Sequence, residues 1–403
     1  MCKPVNTAAL ILAAGKAERM GRVKALLPLP FLPGGEDASS LAGLARLYRR
    51  CGVDHITVVS GFHAAAVEAE AAALGLTVVR NPSPEAGMFS SVQTGIYYIS
   101  TFDRVEAVFV QPVDVPLVRP LTIMALLDSY REARTTDTAA VLVPQFDGQQ
   151  GHPPLIPTCH ASRICAHDGQ GGLYGVLSGL PLRPVPVVDS NILADMDTPD
   201  DYTHLCRLAP WRTALRPAEA VTLLHLRHVS EKGLRHARAV GKVAAAFAAS
   251  LGKTPQAGRV TTCRPWLAMS GGLLHDIAKG LPHHEQTGGA LLDSLGLPDM
   301  ARLVREHRDL TLSEQDPLTE RELVYLADKY CRGDTFVPLE RRFGMKMEQF
   351  SHDASACAAI ASRLERAQRM EARLAKETKR SPAAMAHEAL KEGSCASFFE
   401  VES

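Results

Sequence analysis

The chain has 403 residues, 46% of them hydrophobic, and its 44 basic and 44 acidic side chains cancel to a formal charge of zero. That length is too great for one ordinary core, so two or more domains are expected; the neutral balance argues against a nucleic-acid or anionic-membrane surface. Nine cysteines form no Cys-x-x-Cys pair, which argues against a zinc ribbon or a redox couple and fits a reducing compartment.

The apolar run Ala8-Ala9-Leu10-Ile11-Leu12 predicts a buried strand. It lacks a secretory cleavage pattern, and no segment approaches the roughly 18 continuous apolar residues of a membrane span. A cytoplasmic protein without a membrane partner is therefore expected. Further strands are predicted at His55–Val59, Thr77–Val79, Ala107–Val110 and Ala139–Val143, with helices such as Leu41–Cys51 and Ala64–Leu74 between them. Mostly apolar, β-branched strands alternating with helices predict a doubly wound, Rossmann-like α/β domain with its ligand at the carboxyl ends of the strands. Pro210 and Pro217 mark an expected linker. Beyond about residue 219 no strand is predicted. Helical periodicity runs through Val229–Leu251, Trp266–Lys279, Glu285–Leu295, Met300–His307 and Thr319–Tyr330, and the Ala-, Glu-, Lys- and Arg-rich end of the chain predicts further helices. The expected division is 1–206, a linker at 207–219, an all-α domain at 220–345 and a helical extension at 346–403. Most of the clustered histidines fall after residue 220, so the halves are expected to do different chemistry.

After the first strand comes Leu12-Ala13-Ala14-Gly15, then Arg19-Met20-Gly21, then Lys24. Glycines let a backbone approach a ligand, free N–H groups cradle oxyanions, and fixed cations neutralise phosphate charge. The loop is no P-loop, because Gly-Lys-Ser/Thr is missing at the required spacing. Four more segments follow in order: Gly87-Met88-Phe89-Ser90-Ser91 after Asn81-Pro82, Gln111-Pro112-Val113-Asp114, Gly151-His152-Pro153-Pro154, and Asp195-Met196-Asp197-Thr198-Pro199-Asp200-Asp201-Tyr202.

Over roughly residues 7 to 205 this ordered set resembles the MobA-like nucleotidyltransferases. The resemblance implies transfer of a nucleoside monophosphate from an NTP to a phosphorylated acceptor, with pyrophosphate released. It implies a nucleotide site at Leu12, Ala13, Ala14, Gly15, Arg19, Lys24, Gly87, Ser90 and Ser91, with Arg19, Lys24 and Asp114 catalytic. Mg²⁺ would sit on Asp114 and Asp195, with Asp197 the alternative second ligand, and His152 would be a further site residue. The double Ala resembles the MocA-type branch, which uses CTP; the GTP-using branch usually has Ala-Gly-Gly there. The implied acceptor is molybdopterin, and a molybdoenzyme is an implied receiving partner. Plainer roles exist: Asp114 as a turn cap, Asp197 in a helix N-cap region, His152 in a structural turn, Met88 in a core. One loop departs from the family: Gly169-Gln170-Gly171-Gly172-Leu173-Tyr174 carries Gln170 and Tyr174 where the family has Asp and Arg. That departure keeps a sugar- or alcohol-phosphate acceptor open, and a non-catalytic cofactor carrier is the third reading.

In the second half, His236, His275-Asp276, His284, His307 and Asp328 resemble the ordered set of HD-domain metal phosphohydrolases, over roughly 220 to 335. The resemblance implies one metal on His236, His275, Asp276 and Asp328, and a second on His284 and His307 with Asp276 bridging. Lys279 would steady a substrate phosphate. Mixed imidazole and carboxylate donors suit Mn, Fe, Ni or Zn better than Mg alone, and such an ion makes water a nucleophile near neutral pH. A lone helical His is more commonly structural; His225, His228 and His283 lie near this set but fit its order less well, and are read as surface residues or as neighbours just outside the metal ligands.

Overall fold

The protein is described here by a computed structural model that covers residues 5–30, 37–133, 139–252, 263–307 and 316–391. The chain forms two compact units, Met1–Arg212 and Thr213–Ser403. The break falls inside the stretch 207–219 expected as a linker, much of which is helical. Residues 392–403 of the expected extension lie outside the described part.

The first unit has strands β1 (Thr7–Leu12), β2 (Pro28–Leu29), β3 (Ala38–Ser39), β4 (His55–Ser60), β5 (Thr77–Arg80), β6 (Ala107–Pro112), β7 (Val141–Phe146), β8 (Gln149–Gln150), β9 (Leu155–Pro157) and β10 (Leu182–Pro186). Its helices are α1 (Ser40–Arg50), α2 (Ala64–Ala73), α3 (Met88–Ile99), α4 (Pro120–Ala133), α5 (Ala161–Ala166), α6 (Gly172–Leu177) and α7 (Pro199–Leu208). The main sheet runs β10-β7-β9-β6-β1-β4-β5, with β8 on β7. β1 pairs in parallel with β4 and β6, β4 with β5, and β7 with β10. β9 is antiparallel to both β6 and β7. Side chains alternate across a strand. In β1, Ala9 and Ile11 pack in one core with Leu41, Leu44 and Ile123, while Ala8, Leu10 and Leu12 pack in another with Val92, Ile96 and Ile164. Both faces of the sheet are therefore covered, the arrangement expected from its apolar strands. The antiparallel β9 was not foreseen: it is three residues long, and neighbouring prolines hide any period-2 signal.

The second unit holds α8 (Pro217–Leu226), α9 (Glu231–Gly252), α10 (Pro265–Leu274), α11 (His284–Ser294), α12 (Pro298–Arg305) and α13 (Glu320–Tyr330). A hairpin of β11 (Cys331–Arg332) and β12 (Thr335–Phe336) follows, then α14 (Leu339–Gln349), α15 (Ala354–Thr378) and α16 (Pro382–Ala389). The hairpin corrects the expectation of no strand beyond 219; two-residue strands carry no readable period. α9 and α10 meet at two glycines: a Cβ on Gly272 would lie 2.6 Å from Gly241 Cα. No helix among the described residues is long and apolar enough to cross a membrane.

Candidate functional site

In the first unit the loop after β1 closes over a cleft of about 480 Å³ at the carboxyl ends of β1 and β6. Leu12, Ala13, Ala14, Gly15, Arg19, Lys24, Gly87, Ser91, Asp114 and Asp197 all line it. The loop is held at both ends. Ala13 N–H donates to the Val59 carbonyl (2.9 Å) and Phe62 N–H to the Ala14 carbonyl (3.3 Å). Gly61 lies so close beneath that a Cβ there would come 2.6 Å from Ala14 Cβ. The loop then turns through Ala17 and Gly21, both with positive φ, as Gly21 N–H bonds the Ala17 carbonyl.

Three segments bring charge into the cleft. The turn after β6 presents Asp114, and buried Gln111 braces it by donating to the Pro112 and Val115 carbonyls at 2.9 and 3.0 Å. A capping box between Thr198 and Asp201 starts α7 and fixes Asp197, whose N–H donates to the Asp201 carboxylate. Lys24 Nζ lies between them, 3.0 Å from Asp114 Oδ2 and 2.6 Å from Asp197 Oδ1, and Arg19 reaches Asp197 Oδ2 at 2.7 Å. Burial opposes the Lys24 charge, but Asp114 and Asp197 outweigh it and hold its pKa above the usual lysine value.

In the second unit five segments converge on Asp276. Its Oδ2 lies 3.4 Å from His275 Nε2 and 3.7 Å from His236 Nε2. Its Oδ1 lies 3.4 Å from His284 Nε2 and 3.7 Å from His307 Nε2. Asp328 Oδ1 completes the first side, 3.4 Å from His236 and 3.7 Å from His275. His275 and Asp276 sit in the turn just past α10, and His307 sits just past α12, whereas both had been expected inside helices. The cause is local. His275 Nδ1 bonds the Gly272 carbonyl (2.7 Å) and His307 Nδ1 the Val304 carbonyl (2.6 Å), so each imidazole satisfies a carbonyl of the last turn and ends the helix. His236 Nδ1 pairs with the Gly333 carbonyl at 3.0 Å, in the turn of the β11–β12 hairpin.

Residues 9–185 match the family model of the MobA-like NTP transferase domain, and residues 233–333 match that of the HD domain. The chain joins a MobA-like NTP transferase domain to an HD domain. Similar solved structures include Rv0371c from Mycobacterium tuberculosis H37Rv, 25% identical with a TM-score of 0.43, aligned over 51% of this chain and 99% of that one. A nucleotidyl transferase from Methanothermobacter thermautotrophicus is 20% identical with a TM-score of 0.42, over 50% and 97%. Molybdopterin-guanine dinucleotide biosynthesis protein A from Archaeoglobus fulgidus is 16% identical with a TM-score of 0.39, over 50% and 97%. No curated protein matches the chain.

Within the transferase domain, Asp197 rather than Asp195 shares Lys24 with Asp114. Asp195 is exposed and does not line the cleft, yet burial of its carboxyl and the nearby Asp197, Asp114 and Asp201 raise its pKa. These carboxylates together fit a hard divalent cation, which would relieve their mutual repulsion. Ser90 does not line the cleft either. Its hydroxyl donates to the Gly87 and Ser83 carbonyls and, like Ser91, accepts from Asn81 Nδ2, bracing the start of α3. His152 also lies outside the lining, with its Nδ1 buried and without a hydrogen-bond partner; burial lowers its pKa against the pull of Asp114. In the departing loop Tyr174 is 72% exposed, and Gln170 N–H bonds Asp168 at 2.9 Å. Gly61 carried no mark in the sequence, and Gln111 stood in the motif ending at Asp114 without a role of its own; a Gly two residues after the Val59 that ends the predicted strand was the available signal.

The HD-domain centre fits a pair of divalent ions. Backbone carbonyls engage Nδ1 of three imidazoles, which leaves Nε2 as the donor facing inward. His275 Nε2 is buried without a hydrogen-bond partner. Two triads, His236/His275/Asp276 and Asp276/His284/His307, each bring their donor atoms within 4.8 Å of one another. Burial, then the neighbouring His275, lower the pKa of His307 to about 4, which keeps that imidazole neutral. Burial opposes ionisation of Asp276 and Asp328, but His275 and Lys279 at the first and Lys329 and His236 at the second hold both below the usual carboxylate range. Lys279 Nζ lies 2.5 Å from Asp276 Oδ2.

Proposed function

We propose that the first unit transfers a nucleoside monophosphate from CTP to a molybdopterin-type phosphate, and that the HD unit hydrolyses a phosphoester. One observation carries the transferase reading: Lys24 and Arg19 pair with Asp114 and Asp197 in a cleft that the Ala13-Ala14-Gly15 loop also lines. In the reaction an acceptor phosphate oxygen bonds to the α-phosphorus as the α–β bridging bond breaks, and pyrophosphate leaves. Arg19 and Lys24 would neutralise the leaving phosphates, and the loop N–H groups would orient the chain of phosphates. Asp114, with Asp197 or Asp195, would hold Mg²⁺, which supplies charge neutralisation at the phosphates. Ala13-Ala14 supports CTP.

In the HD unit, His236, His275, Asp276 and Asp328 would hold one ion and Asp276, His284 and His307 the second. Bound there, the ions would acidify water and neutralise phosphate charge. Lys279 would be shared between Asp276 and the substrate. Incubating the protein with Mg²⁺, molybdopterin and either CTP or GTP, and measuring pyrophosphate, tests the transferase reading. Release with GTP alone would reject the double-Ala argument. Release only with sugar 1-phosphates would favour the second acceptor reading, which the exposed Tyr174 supports. Tight molybdopterin binding without release, unchanged in Asp114→Ala, would favour a carrier.

A further inference from the structure

On its Asp328 side the HD centre is overlaid with positive charge from α13 and α14. Lys329 is 8% exposed; its Nζ lies 2.8 Å from Asp328 Oδ2 and 4.8 Å from the centre of the Tyr325 ring. Arg342 comes from α14. Its Nη2 lies 3.5 Å from Asp328 Oδ1, its Nη1 donates to the Cys331 carbonyl, and its Nε is buried with no hydrogen-bond partner. Lys346 stands four residues further along, on the same helix face. The residue is exposed, yet partial desolvation of its amine, with Arg342 and Lys329, lowers its pKa against the pull of Asp328, and Arg363 adds to the repulsion.

Two cations thus share one carboxylate that already faces His236 and His275, and Lys346 stands exposed one helical turn beyond Arg342. The three cations outnumber Asp328 by two charges, and the two largely buried beside it share a single carboxylate, an arrangement that a further anion would relieve. Arg342 and Lys346 lie beyond residue 333, where the match to the HD domain ends, whereas Lys329 lies inside it. A diester phosphate carries one negative charge, while a terminal phosphate carries up to two near neutral pH. The surplus suits the second.

We propose that Lys329, Arg342 and Lys346 form a binding site for a terminal phosphate dianion beside the metal centre, which makes phosphomonoesters or pyrophosphate, and not diesters, the substrates of the HD unit. The inference rests on the phosphohydrolase reading for its reaction, but not for its binding site. With a monoester, the oxygen of one water bonds to phosphorus as the ester P–O bond breaks. One water proton ends on the released alcohol, and the other passes to phosphate or solvent.

The test uses the full chain loaded with Mn²⁺ and inorganic phosphate as the probe. Calorimetric titration should show phosphate affinity falling about tenfold or more in Lys346→Met, and again in Arg342→Met, with manganese content by elemental analysis equal to wild type. Lys346→Met touches no backbone partner, so it decides the question should Arg342→Met misfold. A nucleoside 5′-monophosphate, pyrophosphate and bis(4-nitrophenyl) phosphate are then compared as substrates. Preference for either of the first two, reduced in Lys346→Met, supports the site and tells the two sources apart. Phosphate affinity unchanged in Lys346→Met, or faster hydrolysis of the diester by the wild type, overturns it. Lys346-dependent phosphate binding without turnover of any phosphoester would leave the site standing and reject the hydrolase reading.

Discussion

Replacing Gly61 by Ala tests how firmly the cleft loop is seated. The added methyl would lie 2.6 Å from Ala14 Cβ, 2.7 Å from the Ala14 carbonyl oxygen and 2.9 Å from Ala14 Cα. Ordinary contact begins at 3.4 Å, so backbone on one side must move by about 0.8 Å. The loop cannot swing away freely, because the Ala13–Val59 and Phe62–Ala14 hydrogen bonds pin both sides of the contact. Overpacking of this kind costs about 1–3 kcal/mol. A displacement near 1 Å in a group that positions substrate lowers turnover by roughly 10²-fold. Denaturant titration reads the first effect and pyrophosphate release from CTP the second. Gly15→Ala is the control for stability: nothing lies within 4 Å of its added methyl, so its loss should stay within about 0.5 kcal/mol. Wild-type stability and turnover in Gly61→Ala would refute the reasoning, as would an equal stability loss in Gly15→Ala.

Asp276→Ala should lower the content of both divalent ions, while His284→Ala should lower only one; elemental analysis after manganese loading separates them, and equal losses would contradict the shared-carboxylate geometry. Lys24→Met removes the cation between Asp114 and Asp197 and should lower nucleotidyl transfer by about 10²–10³-fold, measured as pyrophosphate release; a loss under tenfold would remove Lys24 from the proposed chemistry. His152 gives a pH prediction. Burial depresses its folded-state pKa below the ordinary 6.5, so its contribution is fully present above 6.5 and is lost as pH falls toward the depressed value. Denaturation midpoints across that window should fall with acid in the wild type and less in His152→Asn; parallel curves would count against it.

Four of the five strands predicted from apolar runs were legible because buried parallel strands carry their own composition; the fifth, β5, is an edge strand with no buried residue and was legible from its paired valines. The motif residues were legible for a different reason: charge and glycine at fixed order leave a mark that does not depend on packing. What stayed hidden depends on contacts between distant segments. The sequence favoured Asp195 over Asp197, and it is Asp197, held at the capping box of α7, that reaches Lys24. The helix end before His275 was missed because periodicity continues to Lys279, and the end before His307 was placed two residues late; in both places the imidazole itself bonds the last turn. The β11–β12 hairpin is too short to announce itself, yet its Gly333 carbonyl orients His236. Arg342 looks like one more charge on an amphipathic helix until α14 sets it beside Asp328.

Asp276 offers one oxygen to each triad, so the two ion sites are thermodynamically linked. An ion on the His236 side would draw electron density from the carboxylate and fix its rotamer for the other side. By reciprocity, whatever factor the first ion imposes on the affinity of the second, the second imposes on the first. Metal titrations of this protein should therefore deviate from two independent isotherms, and ion availability would set the fraction of chains with a complete centre more steeply than either affinity alone predicts.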